Sequence, residues 1–282
     1  MTRAVVLGGG GVAGIAWETG LLHGLSESGV DVLAADRFVG TSAGSTVAAQ
    51  ITSGTALADL FRRQVDPALQ APEIPAEVDA DVLAELFGEN VPAAADPAAA
   101  RRRIGELALS ARTVTEAERI KVIEARLPVH DWPAAGLHIV AVDAVSGAER
   151  VFTAESGVSL VDAVAASCAV PGTWPPVTIH DARYIDGGVR SAENADLAAG
   201  FDRVLVLQAM EVPGNTDLAV QVAELREDGA HVLVVKPDAA AIEAIGPNPL
   251  DPAVREAAAH AGHGQGARAA AEVAVLWGHG DR

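Results

Sequence analysis

The chain has 282 residues, half of them hydrophobic but only 4% aromatic, so its core has to be built from Ala, Val, Leu and Ile. Thirty-eight acidic against 20 basic side chains leave a net charge of −18, which disfavours electrostatic binding to nucleic acid or to an anionic membrane surface. Its one cysteine, Cys168, excludes an intramolecular disulfide, and no apolar run approaches the roughly 20 residues of a membrane span. The strand-like Arg3–Gly8 follows Met1 too closely for the charged and apolar regions of a secretory leader, so a soluble cytoplasmic protein is expected.

Val5-Val6-Leu7 runs into the glycine stretch Gly8-Gly9-Gly10-Gly11-Val12-Ala13-Gly14, and Ile15 to Ser28 then has helical spacing. A glycine loop at a helix N-terminus exposes backbone N–H groups beside the positive end of the helix dipole, which suits an anion. Gly9, Gly11 and Gly14 match the dinucleotide pattern G-x-G-x-x-G, but Gly40 and Thr41 stand where the ribose-binding acid should end the second strand. A Walker loop fails as well, because Gly14 is followed by Ile15 and not by Lys. A transient oxyanion on an acyl group fits best, since the first two strands of such a unit pair with their C-terminal ends together.

The second strand, Arg37-Phe38-Val39, leads into Gly40-Thr41-Ser42-Ala43-Gly44 and then the helix-like Ser45–Ile51. This is the layout of a nucleophile elbow: strand, sharp turn carrying a serine, helix, with glycines where a Cβ would clash. Beyond it, Gly54 to Gln64, Asp81 to Phe87, Pro97 to Ser110 and Val114 to Leu127 read as helices, interrupted by Pro67, Pro72 and Pro75. Thr113 with Glu116 forms a candidate capping box for the last. Residues 54–127 are therefore expected to be a helical insertion, and a candidate cap over Ser42, within a single domain covering 1–282. The basic triplet Arg101-Arg102-Arg103 reads as a solvated helix face.

Leu137–Val142 is a nearly continuous apolar strand of the kind buried on both faces, and Arg150–Thr153 is a candidate partner. Ser159 with Asp162 opens a helix running to about Ala169. Val177–His180 and Arg183–Ile185 flank Asp181-Ala182 as a hairpin whose second strand ends in Asp186-Gly187-Gly188. Arg203–Gln208 and His231–Lys236 are two further buried strands with a helix, Asp217–Glu227, between them. A long Ala-rich helix, Pro252 to Trp277, closes the chain and is expected to bend at Gly262, Gly264 and Gly266.

Asp186, like Ser42, ends a strand at a glycine turn, and in a doubly wound sheet reactive groups gather at the carboxyl ends of the strands. An N–H-rich loop, an elbow serine and a strand-end carboxylate supply oxyanion donors, nucleophile and base. A triad with His231, His260 or His263 is the competing arrangement, though in an α/β-hydrolase the elbow follows several strands rather than the second. Glu256, His260 and His263 share a possible helix face, read as solvated surface rather than as a metal site, so no metal and no cofactor are expected.

Gly9-Gly10-Gly11-x-x-Gly14, Gly40-Thr41-Ser42-Ala43-Gly44 and Asp186-Gly187-Gly188, in that order, resemble the three signature blocks of the patatin-like phospholipase family. The likeness covers about residues 4 to 200, including Ala165-Ala166-Ser167 and Pro171-Gly172. It implies a three-layer α/β/α fold with a mostly parallel central sheet, and a Ser-Asp dyad that hydrolyses acyl esters of lipids without histidine. By the match Ser42 is the nucleophile, Asp186 the base and the N–H groups of Gly9, Gly10 and Gly11 the oxyanion hole, with Gly14, Gly40, Gly44, Gly187 and Gly188 as motif glycines. In one respect the chain departs from the pattern: the family usually has Arg or Lys just before the last glycine of the first block, and here Ala13 stands there. The expected partners are a lipid or acyl-ester substrate and transiently a membrane or micelle, with no nucleic acid. The alternative from a different class is a catalytically idle acyl-lipid-binding protein that keeps the fold.

Overall fold

The apolar runs of the sequence pair into one eight-stranded sheet, seen in a computed structural model that describes residues 1–76, 96–212 and 214–278. The strands are β1 (Arg3–Leu7), β2 (Arg37–Thr41), β3 (Gly136–Asp143), β4 (Glu149–Phe152), β5 (Val177–Ile179), β6 (Ala182–Asp186), β7 (Arg203–Leu207) and β8 (His231–Val235). Their order is β5-β6-β3-β2-β1-β7-β8, with β4 also paired to β3. The run β3-β2-β1-β7-β8 is parallel, while β4, β5 and β6 join by antiparallel pairing. Leu7 lies opposite Gly40, so the first two strands do end together, as the sequence requires of an oxyanion loop beside an elbow.

Successive strand residues face opposite sides of a sheet, and the packing follows that alternation. Val5, Leu7, Phe38, Ile139, Leu205 and Leu207 belong to one core, against α1 (Gly11–Glu27), α2 (Ala43–Ile51), α6 (Leu160–Ser167) and α9 (Arg255–Trp277). Ala4, Val6, Val39, Val140, Val204 and Val206 belong to the other, against α7 (Asp217–Glu227) and the short turn Ala195–Ala198. Ala108 of α4 (Pro97–Ser110) packs on Val142 and Ile185. Helices on both faces of a mostly parallel sheet make the three-layer α/β/α arrangement.

In the 54–127 region the described helices are α3 (Leu57–Val65), α4 and α5 (Glu116–Arg126); the expected helix Asp81–Phe87 lies outside the described residues. The capping box of α5 is formed by Thr115 and Glu118, not by Thr113 and Glu116. Both pairs satisfy the S/T-x-x-E pattern, and the one two residues later is used because the helix begins at Glu116. An ion cluster with buried side chains ties this region to α9. Glu73 accepts two hydrogen bonds from Arg126, at 2.8 and 2.7 Å, and one at 2.9 Å from Arg255.

The glycines expected to bend the last helix do not interrupt it: α9 is continuous from Arg255 to Trp277. Its glycines serve close packing instead. A Cβ at Gly262 or Gly266 would collide with the Trp17 or Leu21 carbonyl of α1, and one at Gly20 or Gly24 with the Ala259 or His263 carbonyl of α9. Among the described residues no helix is long and apolar enough to cross a membrane.

Candidate active site

Ser42 stands between β2 and α2 with φ 53° and ψ −118°, a left-handed conformation that is strained for a residue with a Cβ. The strain is held from several sides. Its N–H donates to Ser167 Oγ at 3.0 Å, and its carbonyl accepts from Ser45 Oγ at 2.7 Å and from Cys168 Sγ at 3.1 Å. Glycine is needed at Gly40, where a Cβ would lie 2.6 Å from the Ser45 Cα, and at Gly44, where it would strike the Leu7 carbonyl. Cys168 is buried, and burial pushes its thiol pKa up. It is a packing residue under the elbow, a role that its count alone could not reveal.

The glycine loop leans directly on this elbow. Gly44 N–H donates to the Gly8 carbonyl at 2.9 Å, and a Cβ at Gly9 would lie 3.6 Å from Ser42 Cβ. Of the three expected oxyanion donors, Gly9 is not free, because its N–H donates to the Ala192 carbonyl at 2.9 Å. Among the described residues the N–H groups of Gly10 and Gly11 have no acceptor, nor has that of Ala43, the residue after Ser42. Gly11 has φ 63° and no room for a side chain, with the Pro249 carbonyl 2.7 Å from where a Cβ would be. Ala13 is fully buried against Ala16, Ala258 and Ala259, and its N–H donates to the same Pro249 carbonyl at 2.9 Å. The packing of α1 on α9 therefore leaves no space at position 13 for a cationic side chain.

Asp186 reaches the site through strand register. Thr41 pairs with Val140 of β3, and Asp186 pairs with the next residue, Ala141, so β6 meets β3 just where β2 ends. Gly187 is required there because a Cβ would collide with the Val140 carbonyl. One carboxylate oxygen of Asp186, Oδ1, accepts from Gly188 N–H at 2.8 Å, while the buried Oδ2 has no aligned hydrogen-bond donor among the described residues. Burial pushes its pKa up to about 7, against the lowering effects of the nearby Ser42 hydroxyl, the Gly188 N–H and the charge of Arg119. A carboxyl in this range is a far better proton acceptor than an exposed aspartate.

Several supporting residues carry no motif signal. Asn194, fully buried and left-handed at φ 56°, donates from Nδ2 to Thr41 Oγ1 at 2.9 Å and to the Ser191 carbonyl at 2.7 Å, bracing the elbow strand against the Asp186 loop. Arg119 lies over the Trp174 ring at 3.9 Å, and its charge acts on both Asp186 and Cys168. Glu18 is wholly buried on α1, and burial raises its pKa well above the usual carboxylate range. Glu193, beside Gly8, is raised by burial to about 7. Glu18 gives a sequence-level hint as a charged residue following the apolar Ile15-Ala16-Trp17, whereas Glu193, among Ser191, Asn194 and Asp196, gives none.

The histidine readings separate from the site. His231 opens β8 opposite Arg203, at the end of the parallel sheet away from Ser42. Among the described residues no histidine hydrogen-bonds Ser42 or Asp186. The grouping of Glu256, His260 and His263 does not form; His263 meets His23 and Glu27 of α1 instead.

A family model described as Patatin-like phospholipase matches residues 5–199. No curated protein matches the chain. Among solved structures it is similar to VipD from Legionella pneumophila, at 14% identity and a TM-score of 0.50, covering 96% of this chain and 67% of that one. It is also similar to the type III effector protein ExoU, at 18% identity and a TM-score of 0.39, covering 96% of this chain and 53% of that one. A third match is full-length ExoU from Pseudomonas aeruginosa in complex with SpcU, at 17% identity and a TM-score of 0.41, covering 98% and 52%. The chain thus spans about half the length of ExoU, and with TM-scores under 0.5 for both ExoU structures only the likeness to VipD counts, for the fold alone.

Proposed function

Because this chain belongs to the patatin-like phospholipase family, a family of lipid hydrolases, we propose that it is a serine acyl hydrolase of phospholipase A, lysophospholipase or esterase type. The observation that carries this reading is the placement of a buried carboxyl, with its pKa raised to about 7, one β3 residue away from the strand end that bears the strained Ser42. Ser42 Oγ attacks the ester carbonyl while Asp186 Oδ2 takes its proton. Backbone N–H groups of Gly10 and Gly11, at the positive end of α1, receive the developing oxyanion. Collapse of the tetrahedral intermediate expels the alcohol, which recovers the proton from Asp186, and leaves an acyl-serine. Water, deprotonated by the same carboxylate, then attacks the acyl-serine, and the proton passes from Asp186 to the departing Ser42 Oγ as the fatty acid is released.

The substrate is a lipid acyl ester met in transient contact with a micelle or membrane surface, and the strongly acidic chain favours a zwitterionic or neutral surface over an anionic one. The 54–127 insertion, whose described helices are α3, α4 and α5, is the proposed cap. Fatty-acid release from a panel of phospholipids, lysophospholipids and neutral esters tests the reading. Release by the wild type, abolished in Ser42→Ala, supports it. A folded wild type that binds these lipids and releases nothing leaves the idle binder.

A further inference from the structure

His23 and Glu27 lie one helical turn apart on the same face of α1, and α9 brings His263 against them. The approach is fixed by backbone, because a Cβ at Gly24 would collide with the His263 carbonyl, so the two helices touch where the three side chains meet. The ring of Phe61, from α3, packs on both imidazoles, with centroids 5.0 Å from His23 and 5.3 Å from His263. The two imidazole rings are 5.2 Å apart. Both turn the same nitrogen to one carboxylate: His263 Nε2 is 2.7 Å from Glu27 Oε2, and His23 Nε2 is 3.6 Å from Glu27 Oε1. The three donor groups all lie within 4.8 Å of one another.

We propose that His23, Glu27 and His263 form a binding site for a divalent transition-metal ion of the zinc class, which clamps α1 to α9. The donor set decides the class. Two imidazole nitrogens and one carboxylate suit zinc and its neighbours, whereas calcium and magnesium take oxygen ligands. Bonds of about 2.0–2.2 Å in a tetrahedral site put the donors about 3.4 Å apart. The observed spacing reaches that value by shifts of an ångström or so, shared between rotation of the two imidazoles and the exposed Glu27 side chain. A metal-free cluster leaves two imidazoles competing for one carboxylate. A dication instead uses the lone pair of both. Glu27 is exposed and the imidazoles are only half-buried, so an ion can enter and keep a water in the fourth position.

The site is separate from the chemistry proposed above. His23 is 12 residues along α1 from Gly11, or about 18 Å at helical rise. Its role is to hold α1, whose first turn carries the glycine loop, onto α9.

Isothermal titration of ZnCl₂ into the untagged, EDTA-treated and dialysed full chain, paired with thermal melts, provides the test. One zinc bound per chain with a dissociation constant below about 10 µM is expected, with a melting temperature that rises with zinc concentration. His263→Ala and Glu27→Gln should each weaken binding at least about tenfold, while His260→Ala, on the same helix but outside the cluster, should bind as the wild type does. Glu27→Gln alters only an exposed side chain, so it remains informative if His263→Ala folds poorly. Absence of one-to-one binding below that concentration overturns the proposal. So does zinc affinity that is unchanged in His263→Ala and Glu27→Gln, or calcium binding as tight as zinc.

Discussion

Thr41 and Asp186 lie opposite consecutive residues of β3, Val140 and Ala141, although 145 positions separate them in the chain. Two strand ends registered one residue apart bring the following Ser42 and the Asp186 carboxyl into one site without any loop having to place them. If they act as one unit, Ser42→Ala and Asp186→Asn should each lower kcat by on the order of 10³ or more, and the double variant should be little worse than either single one. Steady-state kinetics on one ester substrate, with circular dichroism to verify folding, checks this.

The pH dependence follows from the buried carboxyl. Asp186 is a base only when ionised, so kcat/KM should rise with pH through about 7. Arg119→Gln removes a charge that lowers this pKa and should move the acid limb to higher pH, while Arg119→Lys should leave it nearly in place. Stability carries the opposite sign. A folded-state value raised from 3.8 to about 7 gives a contribution that is full below 3.8 and lost as pH rises through about 7, so Asp186→Asn should melt above the wild type at pH 8. Melts at pH 5 and pH 8 read the difference.

Ala13 stands where the family resemblance leads one to expect Arg or Lys, and the packing around it has no room for either. With Ala16, Ala258 and Ala259 closed around it, Ala13→Arg would bury an unpaired charge in a tight apolar contact. The expected loss is about 3 kcal/mol or more of stability, seen as a lower melting temperature and less soluble protein. A soluble variant with a wild-type melt would show that the α1–α9 contact opens to accept the side chain.

The glycines between α1 and α9 invert a common rule. Gly→Ala inside a helix usually gains about 1 kcal/mol, but a Cβ at Gly20 or Gly266 meets a backbone carbonyl that cannot move aside, and overpacking costs about 1–3 kcal/mol. Gly20→Ala and Gly266→Ala should therefore lower the melting temperature by several degrees. Gly264→Ala, where the nearest atom is the exposed end of the long Arg268 side chain at 3.2 Å, should be neutral or stabilising.

The same glycines show where the sequence was legible and where it was not. Strands such as Val5-Val6-Leu7 and Leu137–Val142 declare themselves by composition, and Ser42 and Asp186 by the glycines a tight turn needs. Gly262 and Gly266 look like helix breakers to a local rule, because the helix that requires them lies about 240 residues away in sequence. The occupied N–H of Gly9, the bracing by Asn194 and the Arg119 charge near Asp186 are likewise tertiary facts: each depends on a segment that arrives from elsewhere in the chain. The short helix Ala239–Ile245, capped by Asp238, lacked the length for a clear period.

The central claim is that Ser42 is an activated nucleophile served by Asp186, and covalent labelling with a fluorophosphonate probe tests it most directly. Mass spectrometry of the labelled wild type should place one adduct on Ser42, with labelling lost in Ser42→Ala and strongly slowed in Asp186→Asn. A folded wild type that takes no label, or an adduct that persists in Ser42→Ala, would contradict it.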